Sequence, residues 1–130
     1  MAVSKRRLGR RARFVEWILG DVTTVEDIGQ FDVWHDRAVF HFLITDADRR
    51  HYVRLAERSL SPGGTAVMAT FASDGPDRCS GLEVRRYDPG RLAEQCGPCF
   101  ELVQSGRHVH VTPRSDRQAF LYATFRRAVS

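Results

Sequence analysis

The sequence lacks any run of the roughly 18 consecutive apolar residues that a membrane-spanning helix requires. Its first residues are rich in arginine and contain no apolar stretch of the kind that a secretory signal needs. We therefore predict a cytoplasmic protein that does not enter a membrane. The three cysteines, an odd number, do not make a disulfide framework, so free thiols are expected in a reducing compartment.

The composition is that of one soluble globular domain. With 42% hydrophobic and 28% charged residues among 130, the chain has enough apolar side chains for a modest core, and we predict a single domain over residues 1–130. The net charge of +4 is uneven, because six cations and no acidic residue precede residue 14. Such a basic arm either contacts nucleic acid phosphates or forms a solvated helix face. No aromatic residue lies among these charges, and we do not expect a nucleic acid partner.

Two apolar segments near the start of the chain predict strands. Residues 14–19 are nearly continuously apolar and rich in β-formers, as in a strand covered on both faces. Residues 31–35 form a second candidate, followed by a loop or short helical turn up to Leu43.

A helix and a third strand follow. Thr45 offers an N-cap with Asp48 three residues on, a capping-box pattern that uses Asp in place of Glu. The helix should end at the Ser-Pro-Gly-Gly of residues 61–64, and residues 65–71 predict the next strand. Residues 31–71 therefore predict a strand, helix, strand unit with a right-handed parallel crossover, which is typical of an α/β fold.

The last third of the chain begins with a predicted long loop over residues 72–87, of the kind that often covers a binding site. A short helix is expected from Asp88 or Pro89 to Glu94. Residues 100–104 and 120–126 alternate well enough to be strands, and two strands joined without a helix are most simply antiparallel.

Several of these segments together resemble the latter part of a class I S-adenosylmethionine-dependent methyltransferase. They are Gly20-Asp21-Val22-Thr23 after a strand, residues 31–37 (Phe-Asp-Val-Trp-His-Asp-Arg), Leu60-Ser61-Pro62-Gly63-Gly64 before a strand, and the terminal strand pair. The string from Trp34 to Leu43 resembles a bacterial branch of small-molecule or uncharacterised methyltransferases. The resemblance implies a Rossmann-like fold whose mixed sheet has a C-terminal antiparallel strand pair. It also implies S-adenosylmethionine as the cofactor.

The sequence departs from the family in its first half. None of the ten glycines forms the family's Gly-x-Gly loop, and the acidic residue that ends the family's second strand is also missing. We therefore expect a fold truncated at the N-terminus. In the family's strand order, 3-2-1-4-5-7-6, this leaves strand four with an open edge. The chain then pairs residues 14–19 directly with 31–35, forms a homodimer through the open edge, or is a fragment of a longer protein.

The resemblance also assigns site residues. Asp21 and Val22 would lie by the adenine of S-adenosylmethionine, with the Asp21 carboxylate accepting from the exocyclic amine, and Gly20 would also belong to the cofactor site. His35 and Asp36, together with Arg37, would face the methionine part of the cofactor and the acceptor. Asp21 has a simpler interpretation as the cap of a turn.

Methyl transfer is an in-line displacement, so a base is needed only when the acceptor must lose a proton. Asp36, His35 and His41 are the candidates for this base. His35 and Asp36 end or follow the strand whose carboxyl end should meet the ligand. Two alternatives stay open, namely a local ion pair between Asp36 and Arg37 and a packed histidine at position 41. We predict transfer to a small-molecule acceptor or, alternatively, a non-catalytic remnant that acts as a dimerisation or interaction module.

The Cys96-Gly97-Pro98-Cys99 tetrad matches the active-site motif of thioredoxin-like oxidoreductases. Those proteins place a strand before the motif and a helix after it, which lowers the pKa of the first thiol. Here the predicted order is reversed, which favours a turn with incidental cysteines. Cys79, His108 and His110 have no spacing typical of a zinc site, and we expect no metal.

Overall fold

The structure is a computed structural model that describes Ile18 and residues 20–129. The basic arm and, apart from Ile18, the predicted strand over residues 14–19 lie outside the described residues. The elements in chain order are β1 (Phe31–Arg37), a 3-10 helix (Phe40–Phe42), α1 (Asp46–Ser59), β2 (Leu60–Phe71), β3 (Arg78–Cys79), β4 (Leu82–Glu83), α2 (Pro89–Cys96), β5 (Phe100–Val111) and β6 (Arg117–Arg127). Within this part of the chain, no helix is long and apolar enough to cross a membrane.

The main sheet has four strands in the order β1-β2-β6-β5. β1 is parallel to β2, whereas β6 runs antiparallel to both of its neighbours. The predicted parallel crossover and the C-terminal antiparallel pair are therefore confirmed. The order equals positions 4-5-7-6 of the strand order that the resemblance implies.

Helix α1 begins where the sequence predicts it, because the Thr45 hydroxyl accepts a hydrogen bond from the Asp48 amide at 3.2 Å. It ends at Ser59, two residues before the predicted turn. Gly63 has φ +79°, and a Cβ on Gly64 would lie 2.9 Å from the carbonyl oxygen of Asp32 in β1. Residues 61–64, which the sequence predicts as a turn, instead form an irregular stretch within β2, which begins at Leu60 rather than at Thr65 and shifts in register against β1 between Phe31 and Val33. The two glycines allow this bulge and let β2 run close beside β1.

The core lies between one face of the sheet and the two helices. Side chains alternate across a strand, so Trp34 and Asp36 of β1 point towards α1. The opposite face is more open, with Val33 60% exposed. The largest fully buried side chains are Phe40, Tyr52, Leu55, Leu60, Phe71, Tyr87, Leu92 and Phe125.

The C-terminal region differs in detail from the prediction. The loop over residues 72–87 contains the small hairpin of β3 and β4. α2 extends to Cys96 rather than Glu94, and Asp88 is its N-cap, accepting from the Arg91 amide at 2.8 Å. β5 and β6 continue well beyond the predicted cores, because the hydrophilic residues 104–110 pair along their backbone with β6 at an exposed edge.

Candidate functional site

A tight turn follows the carboxyl end of β1. Ala38 has φ +64°, a left-handed conformation that is uncommon for a residue with a Cβ. This turn directs two backbone amides back to Asp36: Oδ1 accepts from Val39 at 2.8 Å and Oδ2 accepts from Phe40 at 3.0 Å. The carboxylate therefore holds the start of the 3-10 helix against the end of the strand.

Asp36 also joins a buried side-chain network. The Tyr52 hydroxyl donates to Oδ2 of Asp36, and the Trp34 indole Nε1 donates to the Tyr52 oxygen at 2.9 Å. Burial and the neighbouring Asp36 carboxylate raise the pKa of Tyr52 well above its usual value, so the hydroxyl keeps its proton. With three donors on a carboxylate that is 5% exposed, Asp36 has little capacity left for a ligand.

His41 is fully buried beneath the following loop. Its Nδ1 accepts from the Phe71 amide at 3.0 Å, and its carbonyl oxygen accepts from the Arg85 amide at 2.7 Å. Burial lowers the pKa of His41 to about 4, so the ring is neutral near pH 7. Within the described residues, Nε2 has no hydrogen-bond partner. His41 thus joins the 3-10 helix to the end of β2 and to the loop after it.

His35 and Arg37 are exposed and belong to the opposite face of β1 from Asp36, because side chains alternate along the strand. The three residues that the sequence grouped together therefore do not share one face. In the described part of the chain, Asp36 and Arg37 do not form the ion pair that was an alternative interpretation.

Asp21 lies in an exposed turn. Its Oδ1 accepts from the Thr23 hydroxyl at 2.7 Å and from the Thr23 amide at 2.8 Å, and these hydrogen bonds lower the pKa of Asp21. The side chain thus caps a turn, as the simpler interpretation held. Its Oδ2 has no hydrogen bond from any described residue and remains open to a further donor.

A cavity of about 190 Å³ lies beside this turn, lined by Ile18, Gly20, Val22, Val25, Ile28, Trp34 and Leu55. The lining brings two of the predicted cofactor residues, Gly20 and Val22, together with a buried residue of α1. A Cβ on Gly20 would come within 2.5 Å of a Val25 methyl group, so only glycine fits this wall without a shift. The sequence pattern missed Leu55, although it lies three residues after Tyr52 on the buried face of α1.

The cysteine tetrad occupies the end of α2, a turn, and the start of β5. Gly97 has φ +81°, and the Cys96 thiol lies 3.8 Å from the Met68 sulfur. Burial raises the pKa of Cys96 to about 12, opposite to the shift that a redox thiol requires. The predicted order of helix, turn and strand is confirmed. Among the described residues, no group of three or more His, Cys, Asp or Glu side chains could hold a metal ion.

A family model described as a methyltransferase domain matches residues 1–68, which is more than half of the chain. The chain belongs to the methyltransferase domain family. The matched segment of this methyltransferase domain includes the turn at Asp21, strand β1, helix α1 and the first part of β2. A comparison with curated proteins gives no match.

Solved structures of low sequence identity share the fold of this methyltransferase domain. An S-adenosylmethionine-dependent methyltransferase from Methanosarcina mazei has a TM-score of 0.66 at 10% identity, covering 85% of this chain and 66% of its own. A protein that is linked to the conversion of a disulfide bond into a thioacetal group during echinomycin biosynthesis has a TM-score of 0.69 at 17% identity. The match covers 99% of this chain and 63% of that protein.

The N-methyltransferase NodS from Bradyrhizobium japonicum, in complex with S-adenosylhomocysteine, has a TM-score of 0.67 at 16% identity, covering 98% of this chain and 63% of its own. The chain therefore spans less than two thirds of the length of these three structures. The likenesses confirm the Rossmann-like methyltransferase fold that the sequence resembles.

Proposed function

We propose that this domain takes part in S-adenosylmethionine-dependent methyl transfer to a small-molecule acceptor. The observation that carries the proposal is the exposed Asp21 carboxylate between Gly20 and Val22, which both line an apolar cavity. The methyltransferase family and the S-adenosylhomocysteine in the NodS complex indicate the cofactor. When bound, that cofactor supplies an electrophilic methyl group on a sulfonium.

The residues beside the cavity fit the adenine end of the cofactor. A purine ring needs apolar walls for its faces, which Val22 and Trp34 provide, and an acceptor for its exocyclic amine. The Oδ2 atom of Asp21 is such an acceptor, because the turn occupies only Oδ1. The low pKa of Asp21 keeps the carboxylate ionised.

The residues at the end of β1 divide into two roles in this proposal. Asp36 and His41 hold the turn and the loop, since both are buried and hydrogen-bonded to the backbone. His35 and Arg37 are exposed and available to ligands. We assign Arg37 to the carboxylate of the cofactor's methionine part, and His35 as the base for an acceptor that must lose a proton.

The cofactor proposal is tested by calorimetric titration of the folded 130-residue chain with S-adenosylhomocysteine. We expect micromolar binding that weakens about tenfold in Asp21→Ala, because one charge-assisted hydrogen bond is lost. Asp27→Ala is the matched control, since Asp27 is also exposed and caps a turn by accepting from the Gly29 amide at 2.9 Å. A folded chain that binds no S-adenosylhomocysteine would contradict the proposal for this chain.

A non-catalytic interaction module is the second candidate. Within the described residues, β1 pairs only with β2, and Phe31 and Val33 of β1 are 45% and 60% exposed. A strand edge that no described residue pairs, next to apolar side chains, favours pairing with another chain, here a homodimer. Light scattering after size exclusion tests it: we expect a dimer that Val33→Lys converts to a monomer, whereas a monomeric wild-type chain would exclude this candidate.

A further inference from the structure

Four arginines line one cavity formed by the segment that connects β2 to α2 and by the first turn of α2. The cavity has a volume of about 430 Å³. Its charged residues are Arg78, Arg85, Arg86, Arg91, Asp77 and Glu83. Four cations and two carboxylates leave an excess of positive charge around the cavity.

The two carboxylates offset only part of the positive charge of these arginines. Within the described residues, no salt bridge joins any of the four to Asp77 or Glu83. Arg91 approaches Asp88 to 3.6 Å, but both side chains are largely exposed, so the pair is weak. The excess charge is therefore available to a ligand.

Backbone contacts orient two of the guanidinium groups. Arg78 donates to the carbonyl oxygen of Gly81 at 3.2 Å, and Arg86 donates to that of Gly75 at 3.1 Å. Each contact uses one of the several donors of a guanidinium and leaves its charge uncompensated. These two side chains are thus held in place with donors to spare.

The cavity has a fixed position relative to the sheet. The Tyr87 amide donates to the Phe71 carbonyl oxygen at 3.0 Å, and the Arg85 amide donates to that of His41 at 2.7 Å. The segment is therefore tied both to the end of β2 and to the 3-10 helix after β1. Because β1 and β2 are parallel, their carboxyl ends share one edge, where α/β sheets bind ligands.

We propose that this cavity binds an anionic group, a carboxylate or a phosphate, of the methyl acceptor; this inference rests on the methyl transfer proposed above. Guanidinium groups bind such oxygens through paired, charge-assisted hydrogen bonds. The cavity beside Asp21 has no charged residue in its lining. In this proposal the apolar cavity beside Asp21 binds the adenine, and the arginine-lined cavity binds the anionic group of the acceptor.

The test uses the 130-residue chain and two simple probes, inorganic phosphate and succinate, titrated separately at one ionic strength set with chloride. The anion that binds more tightly distinguishes a phosphate from a carboxylate site. We expect Arg78→Gln/Arg85→Gln to weaken that binding at least about tenfold. Arg54→Gln/Arg58→Gln, which removes two exposed arginines from α1, is the matched control and should bind as wild type does.

A second pair of variants tests the site without removing an arginine. Asp77→Asn and Glu83→Gln each remove a negative charge beside the anion and should tighten binding by about two- to fivefold. The inference is overturned if neither probe binds the folded wild-type chain, or if the double arginine variant binds as tightly as wild type.

Titration of the same proteins with S-adenosylhomocysteine separates this inference from the proposed function. We expect the double arginine variant to bind S-adenosylhomocysteine as wild type does. A wild-type chain that binds the anion but not S-adenosylhomocysteine would overturn the assignment of the cavity to a methyl acceptor. A chain that binds S-adenosylhomocysteine but neither anion would overturn this inference alone.

Discussion

The Tyr52 hydroxyl of α1 donates a hydrogen bond to the Asp36 carboxylate at the end of β1. The same Tyr52 oxygen accepts from the Trp34 indole, so one buried group joins two residues of β1 to the helix. A satisfied buried network of this kind rigidifies its surroundings, whereas a broken one leaves polar groups unpaired. It fixes the turn that any ligand at this edge of the sheet would meet.

Removal of the hydroxyl should destabilise the fold. Tyr52→Phe leaves the Trp34 Nε1–H without its acceptor and takes one donor from Asp36, so we expect a loss of about 1–3 kcal/mol in the free energy of unfolding. Urea denaturation measures it. Tyr122→Phe on β6 is the control, because Tyr122 forms no side-chain hydrogen bond with any described residue; equal losses in both variants would contradict the prediction.

Substitutions of the neighbouring residues Asp36 and His35 should have very different effects on the free energy of unfolding. Asp36→Ala leaves the Val39 and Phe40 amides and the Tyr52 hydroxyl without their acceptor, and we expect a loss of about 2–4 kcal/mol. His35→Gln changes an exposed side chain and should alter stability by less than about 0.5 kcal/mol. A larger loss for His35→Gln than for Asp36→Ala would show that the roles are reversed.

Acid should unfold the protein partly through His41. Burial lowers the pKa of His41 in the folded state to about 4, below the value of about 6.5 expected in the unfolded chain. The unfolded state therefore binds the proton more tightly. The contribution of His41 to stability is complete above about pH 6.5 and falls by about 3 kcal/mol as the pH drops to 4.

The check is the free energy of unfolding, measured in urea at several pH values between about 4 and 7.5. In His41→Asn an amide oxygen can accept from the Phe71 amide without titrating, so this variant should lose most of the pH dependence that His41 causes. His51→Asn is the control, because His51 is less buried, and this variant should keep the pH dependence of the wild-type chain. An unchanged pH dependence in His41→Asn would assign the acid sensitivity to other groups.

Thiol reactivity should distinguish Cys96 from the other two cysteines. With its pKa raised to about 12 and its side chain buried, Cys96 carries almost no thiolate near pH 8. Cys79 and Cys99 are only partly buried, and we expect both to react first with a thiol-specific reagent. Mass spectrometry of the modified chain measures the order in which the three thiols react. Rapid modification of Cys96 in the folded protein would contradict this prediction and support a redox role for the tetrad.

Local signals in the sequence predicted most of the elements. The Thr45 and Asp88 caps lie within three residues of the amides that they accept from, so they act wherever the chain goes next. The Pro62-Gly63-Gly64 signal predicted the region where α1 ends but not the start of β2, because these residues form a bulge inside the strand where it pairs with β1. The extents of β5 and β6 were underestimated, since a hydrophilic edge strand is stabilised by the partner's backbone rather than by its own pattern.

The candidate site could be predicted only in part. Gly20 and Val22 do line one cavity, but the resemblance did not show that Trp34 and Leu55 complete it. The sequence analysis placed His35 and Asp36 in one site, whereas their side chains point to opposite faces of β1. The arginines of residues 78–91 were visible in the sequence, but their convergence depends on the hairpin of β3 and β4.

The sequence by itself determined most strands and both α-helices in their order along the chain, and the caps at Thr45 and Asp88, because these depend on residue types at short spacing. It also carried the resemblance to the methyltransferase family through the motifs of residues 20–23, 31–37 and 60–64. Only the tertiary structure decided which polar side chains are buried and hydrogen-bonded within the protein and which are exposed to a ligand. Asp36 meets Tyr52 across 16 positions of the chain, and His41 meets Phe71 across 30. Such contacts depend on how β1, α1 and β2 pack together, and they leave the carboxylate and the imidazole buried while Asp21 and the arginines stay accessible.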